Sequence, residues 1–304
     1  MRMNTPQSGV PAGAQNASLV ARPQRAPQEC KAPICDFRET SYGIVKRVQV
    51  FSKWIDDFKK REGRETVSIL DCGCGTGFTL TRPLGQHGDR ILGVDPHPPS
   101  VDTAVKQNPY ENVRYAVGDL KDLQEGNERF DVIICSEVLE HLRNPETYLE
   151  GFNKLLNTPG ILIVSVPNGY GPFEQLKRLE RRLARFRISS TLLRLARSVR
   201  SLIGRLWKRL GGPYPEPIAG TLNNDSPHVQ FFRLPEFHAM CRRAGFTVIE
   251  VRGRIFLCGR FIDIWLNQGP FRRLLPLNNA LADWLPLRFC SGWMLLLRKL
   301  SNEC

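Results

Sequence analysis

Apolar residues at Ile44, Val48, Phe51, Trp54, Ile55 and Phe58 recur every three or four positions, with polar residues between them. That spacing puts them on one helix face and predicts an amphipathic α-helix over residues 41–61. The period then changes. Short β-rich runs follow at Val67 to Asp71, Ile91 to Asp95, Val113 to Val117, Phe130 to Cys135 and Ile161 to Val166. Helix-compatible segments separate them at 76–86, 99–107 and 145–157. Strands alternating with helices in this way predict βαβ units and a doubly wound, mostly parallel α/β sheet. The unbroken apolar runs Val132-Ile133-Ile134 and Ile161-Leu162-Ile163-Val164 suit strands covered on both faces.

After residue 172 the rhythm is interrupted. Leu176, Leu179, Leu183 and Phe186 form one apolar stripe. Leu192, Leu195, Ala196, Val199, Leu202, Ile203, Leu206 and Leu210 form another, with arginines on the opposite faces. Ser189, Ser190 or Thr191 supplies an N-cap for the second helix, and Pro213, Pro215 and Pro217 close the segment. This predicts a basic helical insert, 173–217, within one domain spanning 36–304. The α/β rhythm resumes with a helix over 234–244, Gly245 at its end, a strand from Phe246 to Val251 and a last strand from Trp293 to Leu297, seven strands in all. An aromatic, proline-rich excursion at 255–290 separates the last two and carries Phe256, Phe261, Trp265 and Trp284. Residues 1–35 contain Pro6, Pro11, Pro23, Pro27 and Pro33 and no continuous apolar stretch, and read as a disordered tail rather than a signal peptide.

Composition narrows the class. The 304 residues are 41% hydrophobic and 24% charged, which suits a folded globular chain. No apolar run approaches the roughly 18 residues of a membrane-spanning helix. The net charge of +13 points to an anionic partner, and its distribution is uneven. Residues 36–174 carry 16 basic and 21 acidic side chains, a net −5, whereas residues 175–210 carry 12 and 1, a net +11. Nine cysteines without a repeated C-x-x-C pattern fit a reducing, cytoplasmic setting and give no zinc site.

The candidate chemistry starts at Val67-Ser68-Ile69-Leu70-Asp71-Cys72-Gly73-Cys74-Gly75-Thr76-Gly77, a strand that runs into a glycine-rich turn and then a helix. In doubly wound sheets ligands bind beyond the carboxyl ends of the strands, and glycines let the backbone approach them closely. The dinucleotide pattern G-x-G-x-x-G fails, because Phe78 or Leu80 stands where its third glycine belongs. A tight structural turn is the plain alternative for the loop alone. Three further acids at the ends of later strands, Asp95, Asp119 and Asp131, argue against it. Asp95, followed by Pro96, is placed to accept from a ribose diol, and Asp119 is placed to meet an adenine amino group. Asp131, at the start of the fourth strand, reads as structural.

This run resembles the class I S-adenosylmethionine-dependent methyltransferases over about 65–170 and 234–298. The resemblance implies S-adenosylmethionine as cofactor, held by the loop Asp71, Gly73, Cys74, Gly75, Thr76 and Gly77, by Asp95 and Pro96 at the ribose, by Asp119 and Leu120 at the adenine, and by Ser136 beside the methionine part. Within that superfamily, Ser136-Glu137-Val138-Leu139-Glu140-His141-Leu142 and Ile163-Val164-Ser165-Val166-Pro167-Asn168-Gly169 are most similar to the ubiquinone-biosynthesis O-methyltransferases.

A hydroxyl acceptor must lose its proton to a general base or be activated by a metal. Glu137, Glu140 and His141, at i, i+3 and i+4, would share one face of a helical turn, and His228 follows later. The resemblance to quinone-pathway and small-RNA 2′-O-methyltransferases implies that these four hold a divalent ion, for which Mg, Mn, Fe and Zn all stay open. Two other readings stand beside it: His141 as a metal-free base with Glu137 supporting it, or Glu137 and Glu140 as helix-terminus acids with a structural His141.

The expected activity is O-methylation of a small hydrophobic or lipid-like hydroxyl acceptor. The insert at 175–210 would lie on an anionic membrane surface, making the chain a cytoplasmic, peripherally bound protein. A nucleic-acid partner is less favoured, since Phe186 and Trp207 make a poor stacking platform, and a helical lid or dimer contact is a third reading of the insert. An RNA or glycan hydroxyl is the alternative acceptor. A non-catalytic S-adenosylmethionine-binding membrane adaptor is the alternative outside enzymes. The oligomeric state is open.

Overall fold

Seven strands form one twisted sheet in the order β3-β2-β1-β4-β5-β7-β6 in the computed structural model. They are β1 Ser68–Cys72, β2 Arg90–Asp95, β3 Val113–Val117, β4 Phe130–Ser136, β5 Leu156–Pro167, β6 Phe246–Gly253 and β7 Gly292–Lys299. The structure describes residues 43–171, 228–258 and 270–300, with a few positions between 174 and 205. All pairings are parallel except those of β7, which runs antiparallel between β5 and β6. The carboxyl ends of the other six strands and the start of β7 therefore meet along one edge, with the order reversing between β1 and β4, where ligands bind in such sheets.

Among the described residues, seven α-helices cover the sheet: α1 Ile44–Glu62, α2 Thr81–Gly85, α3 Pro98–Lys106, α4 Leu120–Glu125, α5 Pro145–Leu155, α6 Leu234–Arg243 and α7 Leu275–Trp284. Strand alternation explains the two cores. Ile69, Ile91 and Ile134 point to one face and pack with Phe51, Trp54, Phe58, Leu84 and Ala104 from α1 to α3. Leu70, Leu92 and Ile133 point to the other and pack with Leu123, Phe152 and Phe237 from α4 to α6. Each such fully buried side chain contributes about 1.5–3 kcal/mol. Both faces are covered, which is why the strands read as unbroken apolar runs. Asp131 is structural as expected: it accepts from the backbone and hydroxyl of Ser68, from Asn157 and from Arg64, joining β1 to β4 at the edge away from the site.

Three local expectations change. The helix expected at 76–86 shrinks to Thr81–Gly85, because Gly73, Gly75 and Gly77 all adopt positive φ and carry the turn further. The helix expected at 145–157 stops at Leu155, since Leu156 already pairs with Phe130. In α1 the buried face takes Arg47 and Val50, while Val48 is only partly buried. The excursion at 255–290 contains α7, which the sequence pattern did not resolve. Phe261 and Trp265 lie outside the described residues, as does the 1–35 tail. The insert 173–217 is almost wholly outside them too. The few positions described in it have helical backbone; Glu174 is buried, whereas Arg194, Leu195, Val199, Leu202 and Arg205 are exposed. Among the described residues, no helix is long and apolar enough to cross a membrane.

Candidate active site

The glycine turn is fastened to the end of β2. Gly73 and Cys74 N–H donate to the Val94 carbonyl, at 2.7 and 3.1 Å, and Gly75 N–H donates to Asp95 Oδ2 at 2.9 Å. The other Asp95 oxygen accepts from His97 N–H. Asp95 thus shapes the loop and keeps spare lone pairs at the carboxyl end of β2. A Cβ at Gly73 would lie 2.3 Å from Val138 Cγ2, and one at Gly77 2.3 Å from the Tyr115 hydroxyl. A Cβ at Gly75 would meet nothing, so that glycine borders open space. The loop is squeezed from behind and open in front, as a cradle for a ligand requires.

The other expected donor residues divide into contact positions and supports. Asp71 is buried at 2% exposure and accepts from the Thr81 hydroxyl at 2.6 Å. Burial pushes its carboxyl up to about 6, against the pull of Thr81 and Arg47. It braces the turn from inside. Cys74 and Thr76 are buried within the turn, and burial holds the Cys74 thiol well above its usual range. Pro96 is exposed beside Asp95. Asp119 caps α4, its Oδ1 accepting from Lys121 and Asp122 N–H. Leu120 gives its side chain to the core, where a Cβ added at Gly151 would touch it.

Ser136 opens a polar chain across the strand ends. Its hydroxyl accepts from Arg47 Nη1 at 3.1 Å and meets Ser165 Oγ at 2.8 Å, which in turn bonds Glu137 Oε1 at 2.9 Å. Glu137 Oε2 pairs with Arg254 Nη1. Burial disfavours the Glu137 charge, but Arg254 and then Arg47 more than offset it and hold its carboxyl below the usual range. Glu137 also has φ 59, a left-handed conformation that L-residues adopt at a cost, held by its N–H bond to the Ser165 carbonyl.

The expected shared face of Glu137, Glu140 and His141 does not form. Residues Leu139–His141 make a 3₁₀ turn, and the left-handed Glu137 before it sends its carboxylate towards β5 and Arg254. Glu140, His141 and His228 do come together, each with a ligand atom within 4.8 Å of the others. Val229 and Gln230 N–H both donate to the Glu140 carbonyl, which fastens the His228 segment to the turn. The imidazoles of His141 and His228 meet edge to face at 4.9 Å. Glu140 is 1% exposed, and among the described residues neither carboxyl oxygen has a hydrogen-bond partner; His141 Nε2 stands 3.9 Å from Oε1. Burial, then the Glu137 charge, raises the Glu140 carboxyl well above its usual range. A buried carboxyl without partners costs free energy unless a proton or cation satisfies it, so this donor set fits a divalent ion.

Arg47, Ser165 and Arg254 were not anticipated. Arg47 left a signal: it is a charged residue on the buried stripe of an amphipathic helix. Arg254 left none, because only the fold brings it to Glu137.

A family model described as a methyltransferase domain matches residues 37–251. The ubiquinone biosynthesis O-methyltransferase of Azorhizobium caulinodans is 33% identical over 144 residues, 47% of this chain and 56% of that protein. The human mitochondrial protein of the same name is 34% identical over 108 residues, 34% of this chain and 29% of its own. The chain therefore spans little more than half of the first relative and under a third of the second. Among solved structures, PKMT2 from Rickettsia typhi superposes with a TM-score of 0.50 at 18% identity, covering 77% of this chain and 49% of that one, and shares the fold.

Proposed function

The chain belongs to the class I S-adenosylmethionine-dependent methyltransferases, and from that premise we propose that it methylates a hydroxyl of a small, hydrophobic or lipid-like acceptor at a membrane surface. The observation that carries the proposal is the Glu140, His141 and His228 cluster, beside the turn that leads from Ser136 and within the same strand-end edge as the glycine cradle.

The donor would lie over Gly75, with the ribose at Asp95, the adenine at Asp119 and Leu120, and its methionine end towards Ser136. Arg47, buried and bonded to Ser136, adds a positive charge for the donor's carboxylate at that end. Transfer moves the methyl from the sulfonium sulfur to the acceptor oxygen and leaves a neutral thioether, so the chain's main task is alignment. The hydroxyl proton must go to a base, and in the absence of an ion His141, a half-buried imidazole on this side of the cleft, would take it.

Glu140, His141 and His228 would hold the divalent ion; when bound, such an ion lowers the pKa of a hydroxyl it touches. Glu137 is left out of this set because Arg254 and Ser165 occupy its carboxylate. It serves instead to hold the turn. The likeness to proteins named ubiquinone biosynthesis O-methyltransferase supports an O-linked, hydrophobic acceptor. The +11 segment at 175–210 supports an anionic membrane surface.

The test is purified protein with methyl-labelled S-adenosylmethionine, offered lipid, small-molecule and RNA fractions, each with and without chelator. Label entering the lipid or small-molecule fraction supports the proposal. Chelator-insensitive transfer leaves His141 as the unaided base, and label confined to RNA overturns the acceptor class.

A further inference from the structure

The helix α7 is apolar on both of its faces, and only one of them is covered. Leu275, Asn278 and Ala282 face inwards and are buried. Leu277, Ala280, Leu281 and Trp284 fall on the opposite side at helical spacing, continued by Arg273 and Leu274 in the preceding 3₁₀ turn. Leu274 is 47%, Leu277 57% and Trp284 87% exposed. A helix that is apolar all round belongs in an interior or against a partner. A contiguous exposed strip of this kind on a folded protein marks an interaction site.

The strip is held in place from behind. The buried Asn278 side chain accepts from Leu257 N–H and donates to the Leu257 carbonyl, both at 2.8 Å. Lys46 Nζ reaches the Asn279 carbonyl at 2.9 Å and Asp283 Oδ1 at 2.7 Å. These bonds tie α7 to the segment that follows β6 and to the start of α1, next to Arg47 of the donor cleft. The strip therefore flanks the edge where the reaction takes place. Its charge is one-sided. Asp283, the single acid of α7, pairs with Lys46, and Arg273 before the helix and Arg288 after it are exposed.

We propose that this face of α7 docks on an anionic lipid bilayer, with Leu274, Leu277 and Trp284 in the headgroup boundary and Arg273 and Arg288 at the lipid phosphates. Apolar residues flanked by arginines, with an interfacial tryptophan, are the composition such a surface takes. Charge argues against the other occupants. The chain's own insert carries +11 and would be repelled by the same arginines, and a second copy would set arginines against arginines. The inference rests on the membrane-side reading of the acceptor but assigns the contact to a separate element. It adds an apolar anchor to the electrostatic one.

The experiment is vesicle sedimentation of the full chain, with phosphatidylcholine alone and with phosphatidylcholine mixed with phosphatidylglycerol. The expected result is salt-dependent binding to the mixed vesicles that falls at least about tenfold in the double variant Leu277→Ser/Trp284→Ser. A blue shift of tryptophan emission on binding should be clearly reduced in Trp284→Phe, with any remainder coming from Trp207 of the insert. S-adenosylmethionine binding by calorimetry should be unchanged in every variant. Wild-type binding that the double variant retains would overturn the α7 inference and leave the insert as the membrane contact. No binding by the wild type would overturn both. Loss of self-association in the double variant would identify the face as a subunit contact instead.

Discussion

Arg254 and Glu137 form an ion pair that closes the candidate active site from the β6 side, with the arginine 6% and the glutamate 27% exposed in their side chains. The pair holds Glu137 in its left-handed turn, and that turn sends Ser136 one way and Glu140 the other. Arg254 is a positioning residue. Arg254→Met should destabilise the fold by about 1–3 kcal/mol, because it leaves the half-buried Glu137 carboxylate with only Ser165 and the more distant Arg47 charge to offset its burial. It should also lower kcat at least about tenfold while the affinity for S-adenosylmethionine changes far less. Arg254→Lys should recover part of kcat by keeping the charge. Equal losses in donor affinity and kcat would show that the pair acts on the fold alone.

The glycine cradle makes a graded prediction. Gly73→Ala places a Cβ 2.3 Å from Val138 Cγ2 in a backbone of φ 81, so donor binding should fall by about a hundredfold or be lost. The double variant Gly73→Ala/Val138→Ala should recover part of that loss by making room. In Gly75→Ala the new Cβ meets only open space, so its effect on stability should be only the left-handed strain of about 1–2 kcal/mol. Its effect on donor affinity should be larger, since the methyl projects into the cleft. Calorimetric titration beside thermal unfolding separates the two.

Asp71 fixes a pH dependence. Its carboxyl is raised from 3.8 to about 6 by burial, so between these values the folded chain keeps a proton that the unfolded chain has lost. Stability from this group is therefore highest below about pH 4, falls as pH rises and levels off above about pH 6. The full swing is roughly 3 kcal/mol. Asp71→Asn retains an acceptor for Thr81 and should flatten this component. Urea midpoints of the two proteins across pH 4 to 7, compared as a difference, would show it; parallel curves would refute it.

The Glu140 cluster can be probed without turnover. Adding Zn or Mn should raise the thermal midpoint of the wild type by mass action on the folded state. Glu140→Gln and His228→Ala should abolish most of that shift while leaving S-adenosylmethionine affinity within about threefold. An equal metal-induced shift in Glu140→Gln would remove the cluster as a metal site.

The local periods by themselves determined the strands, the α1 stripe, the glycine turn and the acids at the ends of β2 and β3. Each is a short-range property: side-chain alternation, helical spacing, or a backbone that only glycine adopts easily. The 3₁₀ turn at Leu139–His141 departs from the spacing because i, i+3 and i+4 imply a shared face only if the backbone is helical from Glu137, and Glu137 is left-handed. Tertiary structure alone decided which charges meet. It brought Arg47 from α1 and Arg254 from the end of β6 to Glu137, leaving Glu140 to His141 and His228. It also decided that α7 buries Leu275 and Ala282 and presents Leu277 and Trp284, a choice its composition could not make because both faces are apolar. Pairing between distant residues depends on how the layers stack and on the low dielectric that stacking creates, and neither is written in the period of a single segment.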